Sequence, residues 1–290
     1  TGVTAANKVY DRTVAATLSG GAIAPISGDT VTLVDTYAAG VFANWNVGTA
    51  KAVTVTGYAL GGAQAANYAI VQPTGVTANI TPATLQVLVN SDAKFVSVAD
   101  PANFNGVSLS GFLAGDSLAD VTGTATITRS NAGINAAGTY AGVLTASGLT
   151  AQNYAMSYVP GDFTIVPADR VLVRVAPETV TYGNAANPDI QSVQYFNGST
   201  GLVVLSRVGA TNTFDDGVLG GNGTVTFSVV AANPLFSAGG NLRVGTYGLD
   251  VDAGSLVITG TNFSGTPVAT GSLSVTPLSV RVGGITAANK

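Results

Sequence analysis

One short phrase returns three times along the chain, each time at nearly the same distance before a proline. Asn67-Tyr68, Asn153-Tyr154 and Asn262-Phe263 stand 15, 14 and 15 residues before Pro82, Pro167 and Pro277. Upstream of each lies a second phrase: Val47-Gly48-Thr49, Gly138-Thr139-Tyr140 and Gly245-Thr246-Tyr247. Ordered phrases recurring in this way mark a tandem architecture and predict three related units. The boundaries fall at residues 1–82, 83–167 and 168–277, with 278–290 opening a further unit. Thr4-Ala5-Ala6-Asn7-Lys8 reappears as Thr286-Ala287-Ala288-Asn289-Lys290, which predicts that the series itself repeats in a longer array.

Inside the units, apolar residues alternate with Thr or Ser. Val53-Thr54-Val55-Thr56, Thr124-Ala125-Thr126-Ile127-Thr128 and Thr224-Val225-Thr226-Phe227-Ser228-Val229 are examples. A period of two reads as strand with one face buried. Turns are supplied by Ser19-Gly20-Gly21, Ala114-Gly115-Asp116 and Gly220-Gly221-Asn222-Gly223. After each proline an apolar run restarts, at 85–89, 171–175 and 278–282. Proline fixes φ and cannot donate to a ladder, so these joints are expected to be short and stiff. The predicted fold class is all-β: three tandem small β domains forming an elongated rod. An immunoglobulin-like β-sandwich fits the strand lengths, and a β-grasp-like domain with a short helix is the alternative.

Charge is scarce. Only 9% of residues are charged, against about 25% in an average domain. Fourteen of the fifteen acids are Asp, a turn former, and Glu178 is the only Glu. A net charge of −4 without a Lys/Arg cluster argues against nucleic acid as a partner. No apolar run of 18 residues escapes interruption by Gly, Thr, Ser or Asn, so membrane insertion is not expected.

The chain has no His and no Cys. That removes disulfides, zinc sets and Ser-His-Asp or Cys-His catalysis, and the reading is that the chain is not an enzyme. No cofactor is expected. Asp215, Asp216, Asp250 and Asp252 offer hard oxygen ligands for calcium, but no twelve-residue calcium loop surrounds them. Asp in turns accounts for the same residues.

The Asn-aromatic phrases could serve as a sugar platform. Their recurrence in every unit favours a fold determinant instead, with the aromatic in the core and Asn in the turn before it. Trp45 is the only Trp and has no counterpart in the other units. Burial statistics favour a core position for it over a ligand contact. The third unit is longer than the second, its surplus lying within 195–241. An elaborated hairpin is the simpler reading of that surplus, and a binding loop the sharper one. Sequons at Asn79, Asn197, Asn222 and Asn262 carry little weight in so Asn- and Thr-rich a chain.

The stretch Asn7-Lys8-Val9-Tyr10-Asp11-Arg12-Thr13, followed by Gly28-Asp29-Thr30-Val31 and Asn67-Tyr68, resembles the YDG repeat of filamentous-haemagglutinin-like adhesins, which leave the cell by two-partner secretion. Arg12 stands where the repeat has its glycine. The second and third units resemble MBG domains. Tyr182-Gly183-Asn184 keeps the opening phrase in the third, whereas the second has Val98-Ala99-Asp100-Pro101 in that region.

The resemblance implies a structural stalk of a large adhesin, secreted to the surface of a Gram-negative bacterium. Such a segment would support attachment or biofilm cohesion by projecting a distal adhesive region. Its partners would be neighbouring repeats of the same chain. The alternative function is a carbohydrate-binding module for matrix polysaccharide or host glycan.

Overall fold

Alternation of apolar and hydroxyl side chains resolves into short strands along the whole molecule. The computed structural model describes residues 2–198, 200–217 and 223–280. Among these the chain is all-β, and its only helical turns are single 3-10 turns at Ala65–Asn67 and Leu118–Asp120. A β-grasp-like domain therefore lacks its helix here. In the strand Gly48–Thr56, Val53 and Val55 are buried while Thr54 and Thr56 face out. The second example, in the strand Val121–Arg129, alternates in the same sense.

The third example behaves differently. Its strand stops at Thr226 and resumes only as Val229–Ala231. Phe227 donates its N–H to the Asn212 carbonyl, and Ser228 donates its own to Ser255 Oγ. These bonds divert the backbone from one sheet to the next while Val225 and Phe227 stay in the core. The turn at 220–222, the sequon at Asn222 and the closing repeat at 286–290 lie outside the described residues. So do the last two residues of the run at 278–282, of which Leu278 and Val280 are exposed.

The chain divides into two compact units. The first comprises Thr1–Leu85, Gly115–Thr122 and Thr150–Met156. Its main sheet runs in the order Lys8–Val9, Thr77–Thr81, Gly48–Thr56, Ala39–Phe42 and Ala15–Ala16. Phe42, Val53, Val55, Ala78 and Ile80 are buried in it. The second unit comprises Gln86–Ala114, Gly123–Leu149 and Ser157–Lys290. It holds one core around Val89, Leu144, Phe163 and Ile165. A larger one is built from Val173, Tyr195, Phe214, Val225, Leu249, Val275 and their neighbours.

The surplus at 195–241 is more than a loop. Ser206–Arg207, Thr213–Asp215 and Thr224–Thr226 join Val257–Thr259 in a four-stranded antiparallel sheet, and Phe214 and Val225 from it fill the larger core.

One register recurs in all three segments. The residue two places before each key proline (Ile80, Ile165, Val275) lies opposite the glycine of the Gly-Thr phrase (Gly48, Gly138, Gly245) in antiparallel pairing. The same residue lies opposite Lys8, Lys94 or Val180 in parallel pairing. Each final strand is thus seated between an early strand and the Gly-Thr strand. Two residues beyond those early positions, Tyr10, Val96 and Tyr182 donate their N–H groups to Thr81, Val166 and Thr276. Val96 is accordingly where the second segment lacks the tyrosine.

Candidate functional site

The three Asn-aromatic phrases converge on a shared arrangement, in which each sits beside an aspartate. Tyr68 donates its hydroxyl to Asp29 Oδ2 at 2.6 Å. Tyr154 does so to Asp116 Oδ2, also at 2.6 Å. In the third copy the aromatic is Phe263, which has no hydroxyl, and Asn262 Nδ2 donates to Asp216 Oδ2 at 2.6 Å instead. Tyr154 and Phe263 are buried, Tyr68 is half-buried, and Asn67 is exposed at the end of its 3-10 turn.

The Asp116 cluster lies wholly within the first unit and is the most elaborate. Its carboxylate is only 5% exposed and receives Tyr10 Oη at 3.0 Å on the oxygen that also receives Tyr154. Arg12 Nε lies 3.2 Å from the other oxygen. The Tyr10 and Tyr154 rings meet edge to face at 5.5 Å. A buried charge needs such partners, because an unpaired carboxylate would cost several kcal/mol. Burial, then the hydrogen bond and charge of Asp116, push the Tyr10 phenol above its ordinary value.

Arg12 adopts a left-handed backbone with φ 61°. The turn that glycine would make is therefore kept, and the side chain set there is turned toward Asp116. Gly115, at φ 95°, leaves space for it, since a Cβ at that position would collide with the guanidinium. Asn153 completes the corner. Its Oδ1 accepts from Val47 N–H at 2.9 Å, its Nδ2 donates to Asn46 Oδ1 at 3.1 Å, and its carbonyl accepts from Ala83 N–H. Tyr10, Asp116, Asp120, Thr122, Asn153 and Tyr154 all line a cleft of about 260 Å³.

Asp11 is held by Lys8 Nζ at 2.7 Å. Desolvation works against its ionisation, but the Lys8 ammonium and two Thr13 donors outweigh that and hold its carboxyl below the usual range.

Other residues singled out by the sequence have structural partners. Tyr140 and Tyr247 each donate to the carbonyl four residues upstream, of Ala136 and Arg243, both at 2.9 Å. Tyr182 donates to Ser237 Oγ at 2.8 Å, and Gly183 beside it has φ 92°. The calcium candidates do not gather. Among the described residues no three acidic side chains form a metal-binding group. Asp215 accepts from Gly217 N–H, Asp250 from Val251 N–H and Asp252 from Gly254 N–H. Asp216 accepts from Asn262, Gly223 and, at 3.4 Å, Tyr195. Trp45 is 44% exposed and is not a core residue.

Two clusters carry no warning in the sequence. Asp92 Oδ1 receives Arg174 Nη1 at 2.5 Å, and the same guanidinium donates to the Ala93 carbonyl. Around this pair Phe95 lies 6.2 Å from Phe196, and Ser108 Oγ lies 2.8 Å from Ser272 Oγ. Lys94 donates to Asn135 Oδ1 at 2.6 Å and, with Arg129, lies within 3.1 Å of Asp100 Oδ1. The Asp100 contacts are ion pairs too bent to count as hydrogen bonds. One usable signal did exist for the aspartates, since Gly28-Asp29 and Gly115-Asp116 precede Tyr68 and Tyr154 by almost the same distance.

Residues 1–78 match the family model of the YDG domain. Residues 85–164 match that of the MBG domain of the YGX type. No curated protein matches the chain. Neither of these families is enzymatic. Two successive stretches of the chain are thus similar to a YDG domain and to an MBG domain.

Proposed function

We propose that this chain is a structural repeat segment of a bacterial surface protein, a stalk piece whose task is to hold spacing and direction. Both domain families occur in repeat-containing surface proteins. The finer reading is an adhesin of the filamentous-haemagglutinin type, secreted by a Gram-negative cell, whose stalk projects an adhesive region for attachment or biofilm cohesion.

The observation that carries this reading is the way successive segments are joined. Tyr10 and Arg12, from the YDG match, share the Asp116 carboxylate with Tyr154, from the MBG match. Asn153 pins both the 46–47 loop and the first residue after Pro82. Asp92 of the MBG match is likewise paired with Arg174 of the segment that follows. Paired side chains centred on buried carboxylates, and not free linkers, make these joins, which suits a mechanical element better than a tethered module.

Small-angle scattering of the chain is the test. A rod-like profile with a maximum dimension of roughly 100–130 Å is expected, given about 3.3 Å per strand residue over three domains in line. Asp116→Ala should broaden the distribution of distances. A compact profile in the parent, or no change in the variant, would contradict the stalk reading.

A further inference from the structure

Two unusual positions meet on one face of the first unit. Arg12 takes the left-handed backbone that glycine favours, and Trp45 is the only tryptophan. The Arg12 guanidinium carbon lies 5.9 Å from the centre of the indole ring, within cation–π range. Arg12 holds its place at the expense of a left-handed backbone, and Trp45 leaves 44% of its surface to solvent. Neither arrangement is what core packing alone would select.

A second cation approaches the same loop. Lys51 Nζ donates to Asn44 Oδ1 at 2.6 Å, next to Trp45. To do so the lysine stem crosses Gly48, where a Cβ would stand 3.3 Å from its methylenes. Ala50, beside Lys51, is another left-handed residue at φ 47°, its N–H held by Asn79 Oδ1 at 2.8 Å. Strained residues gather at functional sites more than elsewhere. Asp116, the carboxylate paired with Arg12, is buried and also receives two tyrosine hydroxyls. This surface thus offers an exposed aromatic ring with a guanidinium beside it, and an exposed amide that holds a second cation, in a chain whose net charge is −4.

We propose that Trp45, Arg12, Lys51 and Asn44 form a binding site for an acidic saccharide of the uronic-acid class. The indole face stacks on the C–H face of a pyranose ring, and the Asn44 amide takes a hydroxyl. Arg12 and Lys51 supply the positive charge that selects the carboxylate. This inference does not rest on the stalk reading, because a rigid or a flexible chain could carry the same surface.

Trp45 is its own reporter, being the only tryptophan. Its fluorescence is followed while the chain is titrated with hexagalacturonate and, separately, with neutral maltohexaose. A saturable change with hexagalacturonate, and none with maltohexaose over the same range, is expected. Arg12→Gly suits the left-handed turn, and Lys51→Gln removes the cation that Asn44 holds. Each should weaken binding about tenfold through loss of a charge-assisted contact. Circular dichroism checks that both variants are folded. No saturable change with hexagalacturonate, an equal response to the neutral sugar, or unchanged affinity in both variants would overturn the proposal.

Discussion

Arg12 and Ser97 carry the same kind of backbone cost in two different settings. Both have positive φ, 61° and 67°, shortly after the position that Tyr10 and Val96 hold against the final strand. A left-handed conformation costs a non-glycine residue about 1–2 kcal/mol. Arg12 recovers part of that through Asp116 and Trp45, whereas Ser97 is exposed. Ser97→Gly is therefore expected to stabilise the protein by about 0.5–1 kcal/mol, the strain relieved less the extra chain entropy of glycine. Arg12→Gly should gain nothing, because it also strips an ion pair from a buried carboxylate. Thermal melts of the two variants side by side check this, and a higher melting temperature for Arg12→Gly than for Ser97→Gly would refute it.

At the scale of elements, the strands and the repeat were legible because they are written more than once. The Gly-Thr and Asn-aromatic phrases mark the same register positions in each segment, so their spacing survives changes in the loops between them. What the sequence hid was pairing at a distance. Asp116 reads as one more turn aspartate, and nothing local says that Tyr10 and Tyr154 will both donate to it. Trp45 departs from the core position expected of it for a related reason: Trp is usually buried, but here the 46–47 loop is fastened by Asn153 and leaves the ring outside.

The Gly-Thr-Tyr corners give a comparison between elements of one design. Tyr247 is nearly buried when it donates to the Arg243 carbonyl, whereas Tyr140 makes the same bond in a more exposed place. Tyr247→Phe should cost about 1–2 kcal/mol, and Tyr140→Phe less than about 1, since an acceptor left unpaired is dearer away from water. Denaturant midpoints of the two variants measure the difference.

For the whole molecule, the absence of His and Cys leaves no side chain of ordinary pKa to titrate between the carboxylates and the phenols. Stability is expected to be flat from about pH 6 to 9. Above that the sign is set by tyrosine. Burial and Asp116 raise the Tyr10 phenol, and burial and Asp216 raise that of Tyr195. The Asp29 hydrogen bond, with burial, raises Tyr68. The folded chain then holds these protons when the unfolded chain has begun to release them, at about pH 10. Their contribution is complete below that pH and is lost as pH rises through the higher folded values. Denaturant titrations across the alkaline range should show this decline, and Tyr10→Phe should make it shallower.

The seating of each final strand also governs the order in which a chain delivered end-first can fold. Lys8 must wait for Ile80, Lys94 for Ile165 and Val180 for Val275 before its sheet can close. Emerging from a ribosome or a pore, a segment stays open until its last few residues arrive. It then closes around them in one late, long-range step, of the kind that makes non-local β pairing slow. A polypeptide delivered in this way stays pliable along each segment until the final strand of that segment is in place.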